Sequence, residues 1–201
     1  MTVRPTWWLT MAGHRSLQCV DRCGSLPGSL SEDSTMLSPK LQAALNDQIN
    51  AELGSAYTYL AMVAHFEASN LPGSARWMRR QAREEVTHAM KIFAFVNDRD
   101  GRVVLKAIPE PPAEFSSTVE IWELVLKQEQ EVSSRIHALY TLAAQEKDYA
   151  TQTMLQWFVA EQVEEEKTAR TILEQVKKIG SSSSAIYFLD RHLGKDAEAK
   201  E

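Results

Sequence analysis

From residue 36 onward, apolar side chains return every third or fourth position, the period of a helix with one buried face. One such stripe runs Leu45, Ile49, Glu52, Ala56, Tyr59, Val63, Phe66. A second runs Met78, Ala82, Glu85, His88, Ile92, Val96. A third runs Trp122, Val125, Glu129, Val132, Ile136, Leu139, and a fourth Met154, Phe158, Glu161, Glu165, Ala169, Ile172, Val176. The pattern predicts long helices over about Ser38 to Ala68, about Gly73 to Arg99, Ser117 to about Gln145, and from an Asp148 cap to Ile179. A last, shorter helix is expected over about Ala185 to Leu193. With four long helices and a short fifth, the expected class is all-α.

The punctuation supports these limits. Ser38 is suited to cap a helix whose first position is Pro39. Ser117 with Glu120 reads as a capping box. Leu71-Pro72-Gly73 makes a tight turn, Asp100-Gly101 ends the second helix, and Gly180 ends the fourth. Residues 101–116 carry Pro109, Pro111 and Pro112 and show no helical period. Short turns make helices one and two, and three and four, antiparallel hairpins. The long segment between them, able to span about 50 Å when extended, reaches the length of a ~30-residue helix, about 45 Å. The expected architecture is a four-helix bundle with one long crossover loop and a short C-terminal fifth helix.

The bulk properties narrow the function classes. A chain of 201 residues suits one domain with a sizeable core. Residues 1–35 hold three basic and three acidic groups, so the formal net charge of -5 belongs to residues 36–201. An acidic domain without a basic stripe points away from nucleic acid. No apolar run approaches the ~20 residues that span a membrane, and Trp7-Trp8-Leu9 is too short for a secretory signal. The expected location is the cytoplasm. Residues 1–35 show no helical or strand period and read as a disordered extension or a mis-assigned leader upstream of Met36. Both cysteines, Cys19 and Cys23, fall there; the pair is weak evidence for a metal site or a disulfide. The domain reading is therefore 1–35 as extension and 36–201 as the functional domain.

The unusual feature of the stripes is their centre. Each helix places a carboxylate on its apolar face near mid-length: Glu52, Glu85, Glu129, and Glu161 with Glu165. One such residue is ordinarily structural, reaching out to water. Four at matching heights each cost several kcal/mol unless compensated. No lysine or arginine stands at these central stripe positions, which leaves metal cations to compensate. One histidine among carboxylates suits iron or manganese better than structural zinc or calcium. The layout also repeats. Glu52 is followed by Glu85-x-x-His88, and Glu129 by Gln162-x-x-Glu165, with 33 residues from Glu52 to Glu85 and from Glu129 to Gln162. A lone glutamate from each of two helices and an i, i+3 pair from each of the others is the pattern of two-metal carboxylate bundles.

Glu52 with Leu53 to Leu60, the run Arg83-Glu84-Glu85-Val86-Thr87-His88, and Leu155 to Gln162 followed by Glu164-Glu165-Glu166-Lys167 resemble the non-haem bacterial ferritins over about residues 36–194. The resemblance implies the ferritin-like bundle, iron storage in a homo-oligomeric shell of twenty-four subunits, and ferroxidase activity, with Fe(II) as substrate and dioxygen or hydrogen peroxide as oxidant. By position it implies Glu52, Glu85 and His88 as ligands of a first iron, and Glu85, Glu129 and Glu165 as ligands of a second. Gln162 would hydrogen-bond to the site. Glu84, Glu161 and Glu164, with Glu165, match a third iron site of some relatives. Tyr59 matches a tyrosine near the centre, and Trp157 a further electron donor, although both positions also suit plain packing. Haem is not expected, because Val86 stands where bacterioferritins carry the haem-binding methionine. His65, His137 and His192 lack acidic partners in a comparable arrangement.

Two other readings share the pattern. A peroxide reductase resembling the rubrerythrins needs a cysteine-ligated iron domain, for which two cysteines are too few. A shell protein with a degraded metal site conflicts with ligands present on all four helices.

Overall fold

A computed structural model describes residues 36–180 and 182–198. The expectations for residues 1–35, including Cys19 and Cys23, lie outside the described residues. Five helices follow in order: α1 (Pro39–Ala68), α2 (Pro72–Asp98), α3 (Thr118–Gln145), α4 (Tyr149–Ile179) and α5 (Ser183–Glu198). None of the described helices is long and apolar enough to cross a membrane.

The helix starts form where capping side chains allow. The Ser38 Oγ accepts from the Leu41 amide at 3.1 Å with Pro39 opening α1. Ser117 Oγ accepts from the Glu120 amide at 3.1 Å, while the Glu120 carboxylate takes the Ser116 amide at 2.6 Å rather than that of Ser117. The Asp148 carboxylate accepts from the Thr151 amide and grips the Arg99 guanidinium with two bonds of 2.9 Å. That ties the end of α2 to the start of α4. Burial works against the Asp148 charge, yet the Arg99 and Thr151 bonds outweigh it and hold its carboxyl below the usual range.

Two apolar clusters fill the bundle. One holds Leu41, Leu45 and Ile49 of α1, Ile92 and Val96 of α2, Val132 to Ala143 of α3, and Leu155 and Phe158 of α4. The other holds Tyr59 to Phe66 of α1, Ala75 to Ala82 of α2, Ile121 to Val125 of α3, and Ala169 to Val176 of α4. Thus α1 and α4 run from the first cluster to the second, and α2 and α3 run the opposite way. The α2–α3 segment must therefore travel the whole bundle. Side-chain amides of α1 guide it. Gln42 Oε1 accepts from the Arg102 amide at 2.8 Å, Asn46 Oδ1 from the Val104 amide at 3.0 Å, and Asn50 Oδ1 from the Lys106 amide at 3.0 Å. Farther along, Phe115 meets His65 edge-on at 5.3 Å. Residues four apart lie on one helix face, so the three amides form a rail for an irregular backbone that otherwise lacks partners.

The fifth helix is longer than the pattern predicts and has a structural task. Leu71 at the start of α2 supplies no side-chain cap. Asp190 of α5 does so instead, accepting from the Gly73 amide at 3.0 Å and from the Ser74 amide and hydroxyl at 2.7 and 2.8 Å. The approach is so close that a Cβ on Gly73 would lie 1.8 Å from the Asp190 carbonyl oxygen.

Two helices depart from the expected stripes. On α4 the buried residues are Leu155 and Gln162 rather than Met154 and Glu161, a rotation of one position. On α2 an arginine, Arg80, is buried with 6% exposure. The stripe through Met78 and Ala82 passes beside its Cα, and the long side chain folds inward from the margin.

Candidate metal centre

Between the two apolar clusters lies a polar layer: Glu52, Glu85, His88, Glu129 and Gln162, all buried, with Glu165 half-buried. The helical geometry sets it up. Glu85 and His88, three apart on α2, share one face. Glu52 of the antiparallel α1 stands at the same height. Each of the three offers a ligand atom, and these atoms all lie within 4.8 Å of one another. Among the described residues no other group of three acidic, histidine or cysteine side chains does so.

The remaining members are bound to this set by hydrogen bonds and charge. Tyr59 Oη, fully buried, donates to Glu129 Oε1 at 2.6 Å. Gln162 Nε2 donates to the Glu129 carbonyl oxygen at 3.1 Å and Oε2 at 3.3 Å. Gln48 Nε2 donates to Glu52 Oε1 at 2.9 Å, and Gln81 Nε2 to Glu165 Oε2 at 3.1 Å. Among the buried oxygens without a hydrogen-bond partner are Glu52 Oε2 and Glu85 Oε2, with Glu84 Oε2 beside them in sequence. A buried, unpaired carboxylate oxygen is costly.

The electrostatics follow from this crowding. Burial, then the neighbouring Glu85 charge, raises the Glu52 carboxyl well above its usual range. Burial, then Glu129, does the same to Glu85, with Glu165 and Glu84 adding to it. Burial also raises Glu129, although the Tyr59 and Gln162 bonds favour its charge. Glu165 is pushed to about 7 by burial and by Glu129 and Glu84. Burial and the Glu129 charge push the Tyr59 hydroxyl up well above 10. Several negative groups thus share a low-dielectric space, with the Arg80 guanidinium 3.7 Å from Glu84 at its margin, a crowding that a divalent ion relieves. Oxygen donors with one imidazole suit a hard or borderline ion.

A family model described as a ferritin-like domain matches residues 42–179. The chain belongs to the ferritin family. It is 42% identical to a bacterial non-heme ferritin of Staphylococcus aureus over 159 residues, covering 79% of this chain and 96% of that one. With a ferritin of Staphylococcus haemolyticus it shares 40% over 158 residues, covering 79% and 95%. The open-pore ferritin of the archaeon Archaeoglobus fulgidus superposes with a TM-score of 0.78 at 49% identity, covering 80% of this chain and 98% of that one. Membership in the family carries iron binding with it, and Glu52, Glu85 and His88 are the candidate carboxylate and imidazole site.

The other residues singled out from the ferritin pattern are more scattered. Glu84 is partly exposed, with its Oε2 3.7 Å from Arg80 Nε. Glu161 is half-buried and Glu164 is exposed, with an oxygen 3.9 Å from Lys167 Nζ. None of these joins the tight set. Trp157 is 38% exposed and meets His88 edge-on at 5.4 Å, with the Lys91 ammonium 3.7 Å above its ring.

Sequence reasoning missed Gln48, Gln81 and Arg80. A signal exists for the first two: each glutamine precedes a buried glutamate by one helical turn, Gln48 before Glu52 and Gln81 before Glu85.

Proposed function

We propose that this ferritin takes up Fe(II) into the paired-carboxylate layer, oxidises it there, and passes the ferric product to a mineral store inside a twenty-four-subunit shell. Iron is the substrate. Glu52, Glu85 and His88 hold the first ion; Glu85, Glu129 and Glu165 hold the second, with Glu85 shared. The carboxylates Glu52, Glu85, Glu129 and Glu165 carry four negative charges when ionised, which balances two Fe(II) in a buried site. Carboxylates bind Fe(III) more tightly than Fe(II), so the same ligands ease the loss of an electron from each ion. Two electrons with two protons reduce dioxygen to hydrogen peroxide, or hydrogen peroxide to two waters. After oxidation the positive charge exceeds that of the ligands, which favours hydroxide entry and departure of the product.

Gln162 and Tyr59 hold Glu129, and Tyr59 is positioned as a nearby one-electron donor. Glu84, Glu161 and Glu164 with Glu165 take a third ion on its way to or from the pair. The protein works in the cytoplasm without haem, nucleic acid or membrane. The single observation that carries this reading is the pair of unpartnered buried oxygens on Glu52 and Glu85 beside His88.

The test is a rapid-mixing absorbance trace after adding two Fe(II) per subunit to metal-free protein in air. A fast ferric signal saturating near that ratio is expected, and Glu85→Ala should slow it by about 100-fold or more. A wild-type trace no faster than iron in buffer removes the ferroxidase reading.

A further inference from the structure

Among the described residues Arg80 is the one lysine or arginine that is buried. Its guanidinium has only donors to offer, and burying it is costly unless they are satisfied. One donor goes to Gln81: Arg80 Nη2 to Gln81 Oε1 is 2.7 Å. Glu84 Oε2 stands 3.7 Å from Arg80 Nε, and the Trp77 ring lies 5.6 Å from the guanidinium carbon. Gln81 itself is 1% exposed, so its amide has no water to turn to. The other end of that amide, Nε2, donates to Glu165 Oε2 at 3.1 Å.

A glutamine amide has two unlike ends. Turned one way it offers a carboxylate a donor; turned the other way it offers an oxygen and repels it. A guanidinium accepts nothing, so its bond to Gln81 requires the oxygen at that end and forces the NH2 toward Glu165. Gln162 is oriented differently, by two acceptors of Glu129 on its NH2. Arg80 thus sets the sense of an amide that reaches the centre, although its own charge touches no ligand of the Glu52–Glu85–His88 set.

We propose that Arg80 and Gln81 are positioning residues for the second metal position. Arg80 locks the orientation of the Gln81 amide, and Gln81 holds the Glu165 carboxylate where the second ion needs it. The inference rests on the two-ion reading above.

The experiment is an oxygen-free titration of the assembled, metal-free protein with Co(II), read by its visible absorption and by heat. The wild type should show a tighter and a weaker step. Gln81→Leu should weaken the weaker step roughly tenfold or more, as loss of a ligand's supporting bond does, and leave the tighter step within about twofold. Arg80→Met, of similar length, should do the same by freeing the amide to turn. Arg80→Lys, also donor-only, should restore most of the affinity. The double variant Arg80→Met/Gln81→Leu should bind no worse than Gln81→Leu alone, because Arg80 acts through Gln81. An unmoved isotherm for Gln81→Leu, equal weakening of both steps, or additive losses in the double variant would overturn the relay. If Arg80→Met does not assemble, Gln81→Leu and Arg80→Lys still decide. A wild type that binds a single Co(II) ends the two-ion reading and this inference with it. Two wild-type steps unmoved by Gln81→Leu end the inference alone.

Discussion

The two hairpins of the bundle carry the same motif and treat it differently. In α1 and α2, Glu52 and Glu85 keep an oxygen each without a partner, and His88 stands within ligand distance of both. In α3 and α4, both Glu129 oxygens are taken, by Tyr59 and Gln162, and Glu165 is held by Gln81. The first hairpin therefore buries carboxylate oxygens that lack partners, as a candidate cation site would. The second already has partners and must trade hydrogen bonds to bind a cation. On the proposed two-ion reading, the two hairpins should differ in affinity despite equal spacing, because their supporting bonds differ.

The most direct way to break the comparison is to remove one ligand from each hairpin. His88→Ala should abolish the tighter of two Co(II) steps, while Glu129→Ala should weaken the looser one by about tenfold or more and leave the tighter one standing. Calorimetric titration of each variant without oxygen reads both steps. Loss of the tight step in Glu129→Ala would reverse the assignment of the two hairpins.

Much of this arrangement is legible in the sequence, and the reasons are physical. A buried carboxylate violates the apolar period, so Glu52, Glu85 and Glu129 stand out against their stripes, and a crossover is recognisable by its prolines. Helix phase on α4 is harder to read, because Glu161, Gln162 and Glu165 are all polar and the period does not say which of them turns inward. The burial of Arg80 is hidden for a related reason: a long side chain reaches the interior from a marginal position. The Asp190 cap on α2 joins residues more than a hundred apart, and nothing local marks it.

The pH dependence sharpens the contrast between empty and filled sites. Glu165 has its folded-state value raised from 4.5 to about 7. Its carboxyl therefore holds a proton in the folded protein that the unfolded chain releases earlier. The stability it contributes is full below pH 4.5 and is lost as pH rises through about 7. That is worth at most roughly 3 kcal/mol, or several degrees of Tm for a domain of this size. Metal-free protein should melt lower at pH 8 than at pH 5. The gain in Tm on adding Co(II) should grow over the same interval, as binding displaces protons. Calorimetric melts with and without Co(II) check both; a metal-free Tm that climbs from pH 5 to 8 contradicts the sign.

The smallest effect is also the most discriminating, because the two hairpins should respond with opposite signs. Replacing a carboxylate by its amide keeps the shape and removes the charge. In Glu52→Gln the carboxyl becomes an amide beside Glu85, whose Oε2 lacks a partner and can accept from the new NH2, while the retained oxygen still accepts from Gln48. The metal-free protein should gain about 1 kcal/mol. In Glu129→Gln the new NH2 meets either the Tyr59 hydroxyl or the Gln162 amide, both of which donate to the native carboxylate. One buried donor then loses its acceptor, at a cost of about 1 kcal/mol or more. Denaturant melts of the two metal-free variants should move apart, Glu52→Gln above the wild type and Glu129→Gln below it. A shared direction would mean that burial alone, and not the difference in hydrogen-bond partners, governs both carboxylates.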